Sequence, residues 1–351
     1  MLENGSVFEG VAAGKFKETV CEIVFNTSMT GYVELLSEPT YYSQGIVMSY
    51  PMIGNYGVNK EDFQGERLYP SALLVHELCD TPSNFRNEMT LNELLCEYRI
   101  PCVTCLDTRA IVKMLRDNGT MKGIITNNID DKDALLEKIK SFKQENLFEA
   151  VTRKEKLILN EGKNTNIAVL DLGVKKSVID ALLNRDCTVT IYNATTSAEE
   201  ILKDSIDGIV LSNGPGNPMD CENIIAIIKK LYDNSMPILG IGLGHQLLAL
   251  ANGGKTEKMP YGHRGVSQPV KNIKTDNTYL SSQGHGYTVS VDGIPQNSEI
   301  SWINVNDQTI EGLEYSNGKA VSVQFHPETK KGPRNTSYIY EQFIDMVKEG
   351  W

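Results

Sequence analysis

The sequence is short of positive charge and has no long apolar run. Its 351 residues carry 34 Lys and Arg against 45 Asp and Glu, a formal net charge of −11, and no local basic stretch offsets this balance. Such a chain repels phosphate backbones and anionic membrane surfaces. No uninterrupted apolar run approaches the roughly 18 residues that a membrane span needs. We therefore expect neither nucleic acid nor a membrane among its partners.

Signals for secretion and for disulfide bonds are also lacking. The opening MLENGSVFEG has neither the basic nor the apolar region of a signal peptide. The seven scattered cysteines are an odd number, which favours reduced thiols over a disulfide framework. Cys102 and Cys105 form a C-x-x-C pair, but a zinc site wants a second pair or His partners at suitable spacing. We interpret both as core cysteines, predict no metal, and expect a cytoplasmic protein.

Length and residue patterns predict an α/β protein of two domains. At about 150 residues per domain, the chain is long enough for two cores. From about residue 166, apolar runs alternate with helical stripes, which is typical of a mostly parallel sheet flanked by helices. Residues 1–150 have strand-like runs broken by Gly, Pro, Asn and Ser, and predict a separate, strand-rich α/β domain. We place a polar linker at 151–165 and the second domain at 166–351.

The second domain is predicted in more detail than the first. Helices are expected near 90–99 and 108–117 in the first domain. In the second, Thr196 and Glu199 fit a capping box before a short helix, and shorter strand signals return after residue 255. The remaining predictions are strands at 166–170, 187–192, 208–211, 237–241 and 320–325, and helices at 174–184, 224–231, 246–251 and from about Tyr338.

The most informative segment is PILGIGLGHQLL at 237–248. A buried strand leading into G-x-G-x-G-H-Q and a helix has the layout of a nucleophile elbow, in which a sharp turn lifts one side chain beside a helix N-terminus. The elbow residue is Gly242, which tolerates the positive φ of such a turn but offers no nucleophile. The alternative interpretation is a Gly-rich turn without chemistry.

Two further segments end strands of the same predicted sheet. VQFHPE at 323–328 places His326 and Glu328 where open α/β sheets bind ligands, and a carboxylate can orient an imidazole as a general base. LSNGPGNP at 211–218 exposes backbone N–H groups suited to an oxyanion. Taken alone, the histidine could be structural and the loop an ordinary Gly-Pro turn.

Together these three segments resemble the class I, triad-type glutamine amidotransferases, whose Cys, His and Glu lie in G-x-C-x-G and H-P-E motifs, with G-P-G-x-P as the oxyanion loop. Nearly the whole chain is similar to the small chain of carbamoyl-phosphate synthase. The segments that carry this similarity are FNTSMTGYVELLSEPTYY at 25–42, YPMIGNYGVN at 50–59, SNFR at 83–86, LDTRAIVKMLRDNGTMKG at 106–123, VLDLGVKKSVI at 169–179, GLGHQLLALANGGKTEKM at 242–259 and GHRGVSQPVKN at 262–272.

The resemblance implies a function and a set of site residues. In that family the small chain hydrolyses glutamine and passes ammonia to a large, ATP- and Mg-using chain, which makes carbamoyl phosphate for pyrimidine or arginine biosynthesis. It implies docking through the first domain, His326 and Glu328 as catalytic residues, and no cofactor in this chain. The implied glutamine-binding positions are Thr40, Gly214, Gly216, Leu243, Gln246, Gly284, Gly286 and Tyr287.

The departures from the family pattern cluster in the same pocket. Gly242 stands where the family has its cysteine, and QGHGY at 283–287 replaces Q-N-H-G-[FY], so that Gly284 lacks an amide. Thr40 replaces a serine and keeps the hydroxyl, and ETKKGPRN at 328–335 differs from E-A-S-P-G-P. His263 and Arg264 in GHRG match a family loop, with a surface or packing role as the default.

Loss of the thiolate removes the covalent route, so we expect negligible glutaminase activity. Three hypotheses stay open: an amidotransferase subunit with a disabled site, a non-catalytic subunit of an ammonia-dependent synthase, and a free-standing pseudo-amidotransferase that senses a small amide. An engineered Cys-to-Gly change is a further alternative at Gly242, although a single engineered change does not explain Gly284.

Overall fold

The computed structural model describes residues 1–144, 147–316, 319–328 and 335–348. The chain divides into two compact units, Met1–Glu145 and Asn146–Trp351. Within the described ranges, every helix is too short or too polar to cross a bilayer.

The first unit is an α/β unit built on a mixed sheet. Its strands are β1 (Val11–Gly14), β2 (Thr19–Asn26), β3 (Gln44–Met48), β4 (Met52–Ile53), β5 (Ala72–Leu74), β6 (Glu77–Leu78), β7 (Pro101–Thr104) and β8 (Met121–Ile125). Its helices are α1 (Tyr32–Leu36), α2 (Leu91–Glu97), α3 (Thr108–Asn118) and α4 (Lys132–Ser141). The main sheet has the order β1-β7-β5-β3-β2-β8, with parallel pairing from β7 to β2 and antiparallel edges, and β4 pairs with β6 separately.

Successive side chains along each strand point to opposite faces of this sheet, and both faces are buried. Val24 of β2 packs in one core with α1 and α2, whereas the neighbouring Ile23 packs in a second core with α3. Helix α2 begins at a capping box, in which the Thr90 hydroxyl accepts from the Glu93 N–H at 3.2 Å. The sequence missed α4 because it buries only a narrow apolar stripe among charged residues.

The second unit carries a longer sheet flanked by helices. Its strands are β9 (Leu157–Leu159), β10 (Thr165–Asp171), β11 (Cys187–Asn193), β12 (Gly208–Leu211), β13 (Ile238–Ile241), β14 (Thr256–Asn272), β15 (Thr278–Val289), β16 (Ser298–Asn304), β17 (Ile310–Tyr315) and β18 (Ala320–Val323). Its helices are α5 (Lys176–Leu183), α6 (Ala198–Lys203), α7 (Glu222–Asp233), α8 (Leu243–Ala251) and α9 (Tyr338–Lys348).

Parallel strands form the centre of this sheet. The order is β15-β14-β16-β17-β18-β13-β12-β10-β11-β9, and pairing is parallel from β18 to β11. Val169 of β10 packs with α5 and α9, whereas the next residue, Leu170, packs with α6, α7 and α8. The alternation covers both faces of the parallel strands with helices, which confirms the predicted fold class.

Three local features differ from the sequence expectation. Ser197, not Thr196, caps α6, because its hydroxyl accepts from the Glu200 N–H at 3.2 Å. The stretch 151–165, predicted as a linker, contains β9, which pairs antiparallel with β11. The region after residue 255 begins with two long strands of 17 and 12 residues, whereas the expected short strands follow only as β16, β17 and β18. Register shifts between Lys258 and His263 and between Gly265 and Gln268 explain this, since they interrupt the period-two pattern.

Candidate functional site

The three predicted motif segments meet at one edge of the parallel sheet. Strands β12, β13 and β18 are neighbours, and Ile241 at the end of β13 pairs in register with Val323 at the end of β18. Gly242 directly follows β13, and His326 lies three residues beyond β18. Parallel strands end at a common edge, so topology alone brings the elbow, the histidine and the glycine loop together.

The elbow is a sharp turn centred on Gly242. This residue has φ 58° and ψ −112°, a backbone conformation that side chains rarely adopt, and it precedes the first residue of α8. Its N–H donates to the Val323 carbonyl at 2.9 Å, which ties the turn to β18. A Cβ placed on Gly242 would lie 3.4 Å from the Asn213 Cβ and 3.9 Å from the Gln324 carbonyl oxygen, both ordinary contacts. The turn therefore has room for a side chain.

Helix α8 starts in close contact with β12. A Cβ on Gly244 would lie 2.2 Å from the Leu211 carbonyl oxygen, and the Gly244 N–H donates to the Ser212 carbonyl at 3.0 Å. Only glycine permits this approach, which holds the helix N-terminus beside the elbow.

His326 and Glu328 form a buried pair. The His326 Nδ1 lies 3.2 Å from the Glu328 Oε1, and the two side chains are 4% and 0% exposed. The His326 N–H donates to the Ser282 carbonyl at 2.9 Å, and the Tyr340 hydroxyl donates to the Glu328 Oε2 at 3.5 Å. The carboxylate thus faces one ring nitrogen of the histidine, the arrangement that orients a general base.

Lys175 completes this pair, and the sequence analysis assigned it no role. Its Nζ lies 3.2 Å from the Glu328 Oε1, and its side chain is 5% exposed. Burial alone would raise the pKa of Glu328, but the positive charges of Lys175 and His326 outweigh it and lower that pKa to about 2. A signal was present, because Lys175 lies just after β10 at the same edge of the sheet as the predicted site.

The glycine loop after β12 packs on the end of β10. A Cβ on Gly214 would lie 2.1 Å from the Leu172 carbonyl oxygen, and Gly216 has φ 97°. The Asn213 amide donates to the Gly173 carbonyl at 2.9 Å, which fixes the start of the loop next to the elbow. The predicted oxyanion role of Gly214 and Gly216 stays a prediction.

Gln246 and Leu243 are buried on α8. The Gln246 Nε2 donates to the Tyr287 carbonyl at 2.7 Å and to the Gln324 Oε1 at 2.8 Å. Leu243 packs in the core shared with α6 and α7. Within the protein, Gln246 therefore ties α8 to β15, and contact of these residues with a substrate stays a prediction.

The other predicted substrate positions lie on β15 and in the first unit. Gly284 pairs with Arg264 across the β14–β15 ladder, and a Cβ on Gly286 would lie 2.9 Å from the Arg264 Nη2. Thr40 belongs to the 3-10 turn Pro39–Tyr41 of the first unit. In the unusual segment 328–335, residues 329–334 lie outside the described part of the chain.

The cysteines do not supply a thiol at the elbow. All seven are free, and none follows β13. Cys102 is buried, as predicted, and burial raises the pKa of its thiol to about 12. The prediction of a core position is wrong for Cys105, which is exposed because β7 ends at Thr104 and the chain turns there with φ 61° at Cys105.

Comparison with known proteins identifies both halves of the chain. Residues 1–125 match the family described as the carbamoyl-phosphate synthase small chain, CPSase domain, and residues 168–346 match glutamine amidotransferase class-I. The carbamoyl phosphate synthase small chain of Clostridium perfringens is 42% identical over 344 residues, 98% of this chain and 97% of that protein. The protein of the same name from Fusobacterium nucleatum is 42% identical over 351 residues, 99% of this chain and 97% of that protein.

Among solved structures, a glutamine amidotransferase from Thermotoga maritima is similar with 18% identity and a TM-score of 0.39, covering 54% of this chain and 86% of that one. The identity to the small chains extends over both units and over the whole length of those proteins. The chain therefore belongs to the carbamoyl-phosphate synthase small chain family and carries a class I glutamine amidotransferase domain.

Proposed function

We propose that this chain is the small subunit of a carbamoyl-phosphate synthase and that its amidase site has lost the nucleophile. One observation carries the proposal: a glycine occupies the elbow, in the strained conformation that presents a side chain above a sheet, while the histidine and carboxylate remain paired beside it. The site thus retains its acid–base pair but lacks the atom that would attack an amide.

The missing atom decides the chemistry. In the covalent route a thiolate attacks the glutamine amide carbon, the histidine protonates the departing ammonia, and water releases glutamate. Gly242 offers no atom beyond its Cα for the first step. Loss of a nucleophile of this kind reduces turnover by roughly 10⁶-fold in a well-studied hydrolase. We therefore infer that glutamine hydrolysis by this chain is negligible.

The two cysteines of the second unit do not offer a replacement, since both are buried and burial raises the pKa of the Cys187 thiol as well as that of Cys221. Cys221 also lies on the sheet's helical layer, at the N-cap of α7, but it is buried and its pKa is raised to about 12. A thiol with such a pKa is protonated at neutral pH, and it is the thiolate that attacks.

The loss of an amide at Gly284 is consistent with relaxed demands on glutamine binding. In the family pattern an asparagine stands at this position, and here the facing residue across the ladder is the buried Arg264. Two changes in one predicted pocket fit a site that no longer turns glutamine over.

The remaining role is assembly with a large chain. The relatives are named as small chains, and the first unit matches the CPSase domain of that family. We propose that the first unit docks on a large chain, which holds ATP and Mg and makes carbamoyl phosphate from free ammonia. The small chain itself then needs no cofactor.

The test is the nitrogen source of the assembled enzyme. The chain is mixed with the large chain of its own genome, the complex is isolated by size exclusion, and carbamoyl phosphate formation is measured with ammonium chloride and with glutamine. We expect a stable complex that uses ammonium and shows background rates with glutamine. Equal rates with glutamine would overturn the loss of the amidase, and the absence of a complex would overturn the subunit role.

A further inference from the structure

A second cluster of buried polar side chains lies in the antiparallel part of the second unit. His263 on β14 and His285 on β15 are direct partners in the strand register, with ring centroids 5.2 Å apart and the rings nearly perpendicular. Glu311 on β17 is fully buried and lies beside them. One ligand atom from each of these three residues lies within 4.8 Å of the other two.

The facing atoms stand at the spacing of a metal site. The His263 Nδ1 lies 3.3 Å from the Glu311 Oε1, and the Gln283 Oε1 lies 3.1 Å from that nitrogen and 2.9 Å from the His285 Nε2. Around tetrahedral zinc, with bonds of about 2.0–2.2 Å, ligand atoms stand roughly 3.3 Å apart. The Asn304 and Gln283 amides hold the Glu311 carboxylate in place at 3.2 Å and 3.0 Å, so that small shifts of the side chains bring the ligand atoms of His263, His285 and Glu311 around one ion.

The second nitrogen of each histidine is held in the way that metal-binding histidines require. The His263 Nε2 pairs with the Asp307 Oδ2 at 2.8 Å, and the His285 Nδ1 donates to the Tyr287 carbonyl at 2.7 Å. A carboxylate and a backbone carbonyl are the usual outer partners that orient ligating imidazoles. Each ring is thereby turned with its other nitrogen toward the shared point.

We propose that His263 Nδ1, His285 Nε2 and the Glu311 carboxylate bind one divalent transition-metal ion, with Zn²⁺ as the best match, and that the Gln283 amide oxygen is the fourth ligand. Nitrogen ligands favour zinc over Mg²⁺ or Ca²⁺, which take oxygen. Because His285 donates its Nδ1 proton to the Tyr287 carbonyl, its Nε2 already carries the lone pair that binds the ion, and only the proton on the His263 Nδ1 leaves to solvent.

The site is closed, so its role is structural. His263, Gln283 and Glu311 are buried and His285 is half-buried, and four protein atoms complete the coordination without an open position. The ion would link side chains of β14, β15 and β17. Because β15 and β17 are not neighbours in the sheet, no ladder of backbone hydrogen bonds joins these two strands. The ion also steadies the Tyr287 carbonyl, which accepts both from His285 and from Gln246 of α8.

The experiment uses the full chain, stripped with a chelator and dialysed against Zn²⁺, with metal content measured by mass spectrometry. We expect one Zn²⁺ per chain, at least tenfold weaker binding in Glu311→Gln and in His285→Asn, and unchanged binding in His76→Asn. His76 is a matched control because it is an exposed histidine of the first unit. Circular dichroism checks that each variant is folded.

Cobalt provides a readout that needs no variant. In the unmodified chain, one equivalent of Co²⁺ should give the intense visible bands of tetrahedral coordination without the near-ultraviolet bands of cobalt–thiolate bonds. Absence of stoichiometric binding, or thiolate bands that place the ion on the free cysteines, would overturn the proposal. Either result leaves the proposed function standing, because the nitrogen-source experiment tests the elbow at Gly242 and the assembly with a large chain, neither of which requires the metal.

Discussion

The second unit holds two buried histidine–carboxylate clusters that differ in how they are built. At the edge of the parallel strands, His326 and Glu328 follow the end of one strand, and Gly242 follows the end of the neighbouring strand. In the antiparallel extension, His263 and Glu311 lie within strands and are closed in by cross-strand neighbours. The first cluster belongs to the proposed amidase site, whereas the second lies inside an antiparallel ladder.

Their carboxylates show the same difference electrostatically. Both Glu328 and Glu311 are completely buried, and burial raises the pKa of each. For Glu311 burial prevails, although His263 and two amides oppose it, and the pKa is raised. For Glu328 the nearby Lys175 reverses the direction, and the pKa is lowered to about 2. Lys175, which has no step in the covalent route, thus keeps the Glu328 carboxylate ionised.

Replacing Lys175 should have the largest effect on stability among these predictions. Without its charge, burial should prevail at Glu328 and raise the pKa of that carboxyl, as it does at Glu311. We expect Lys175→Met to lower the free energy of unfolding by about 3–5 kcal/mol at pH 7, because it leaves a buried carboxylate without its cation. Urea unfolding measures this change. Lys176→Met is the matched control, since Lys176 pairs with Asp180 on the surface and such pairs contribute under about 0.5 kcal/mol. Equal losses in the two variants would contradict the assignment.

A second variant separates the charge from the packing. Adding Glu328→Gln to Lys175→Met removes the uncompensated charge, so the double variant should regain part of the lost stability. If it is less stable than the single variant, the effect of Lys175 comes from packing and the electrostatic comparison fails.

A smaller effect concerns the pH dependence of stability and a further buried histidine, His245. His245 of α8 is fully buried, its Nδ1 lies 2.8 Å from the Ser322 hydroxyl, and burial lowers its pKa to about 3. In the unfolded chain His245 binds a proton below about pH 6.5, whereas in the folded chain it stays neutral down to about pH 3. Stability should therefore fall as the pH drops from 6.5 toward 3, by up to about 1.4 kcal/mol per pH unit from this group.

Urea midpoints between pH 7 and 5 measure this slope. Glu328 has a lowered pKa, so its contribution is lost only below about pH 4.5, and the slope between pH 7 and 5 does not include it. His245→Gln should reduce the slope above pH 5 without abolishing it, because burial also lowers the pKa of His285. An unchanged slope in His245→Gln would contradict the role assigned to His245.

Site residues at the ends of parallel strands could be predicted from the sequence, whereas those inside the antiparallel ladder could not. Gly242 and His326 were found because each follows an apolar run, and parallel strands share an edge. Lys175 obeys the same rule, but a lysine beside a second lysine is ordinary on a helix surface, and only its burial reveals it. The cluster around His263 and His285 depends on strand register across two irregularities, which no local pattern records.

The ends of strands and helices also differ in how well the sequence predicts them. The strand at 208–211 was predicted to the residue because it is buried on both faces. The capping residue of α6 was misplaced by one position, since Thr196 and Ser197 are both suitable caps. The length of β14 was missed because its polar and glycine residues carry little apolar periodicity.

Glutamate release by the Gly242→Cys variant tests the central claim most directly. The elbow has space for the new Cβ, so we expect a folded variant that releases glutamate at least ~10³-fold faster than the unmodified chain. Gly242→Ala, which adds the Cβ without the thiol, should stay at background, and Gly284→Asn added to Gly242→Cys should increase the rate further. Rapid release by the unmodified chain, or background rates in both cysteine variants, would contradict the claim that loss of the nucleophile abolishes the amidase activity.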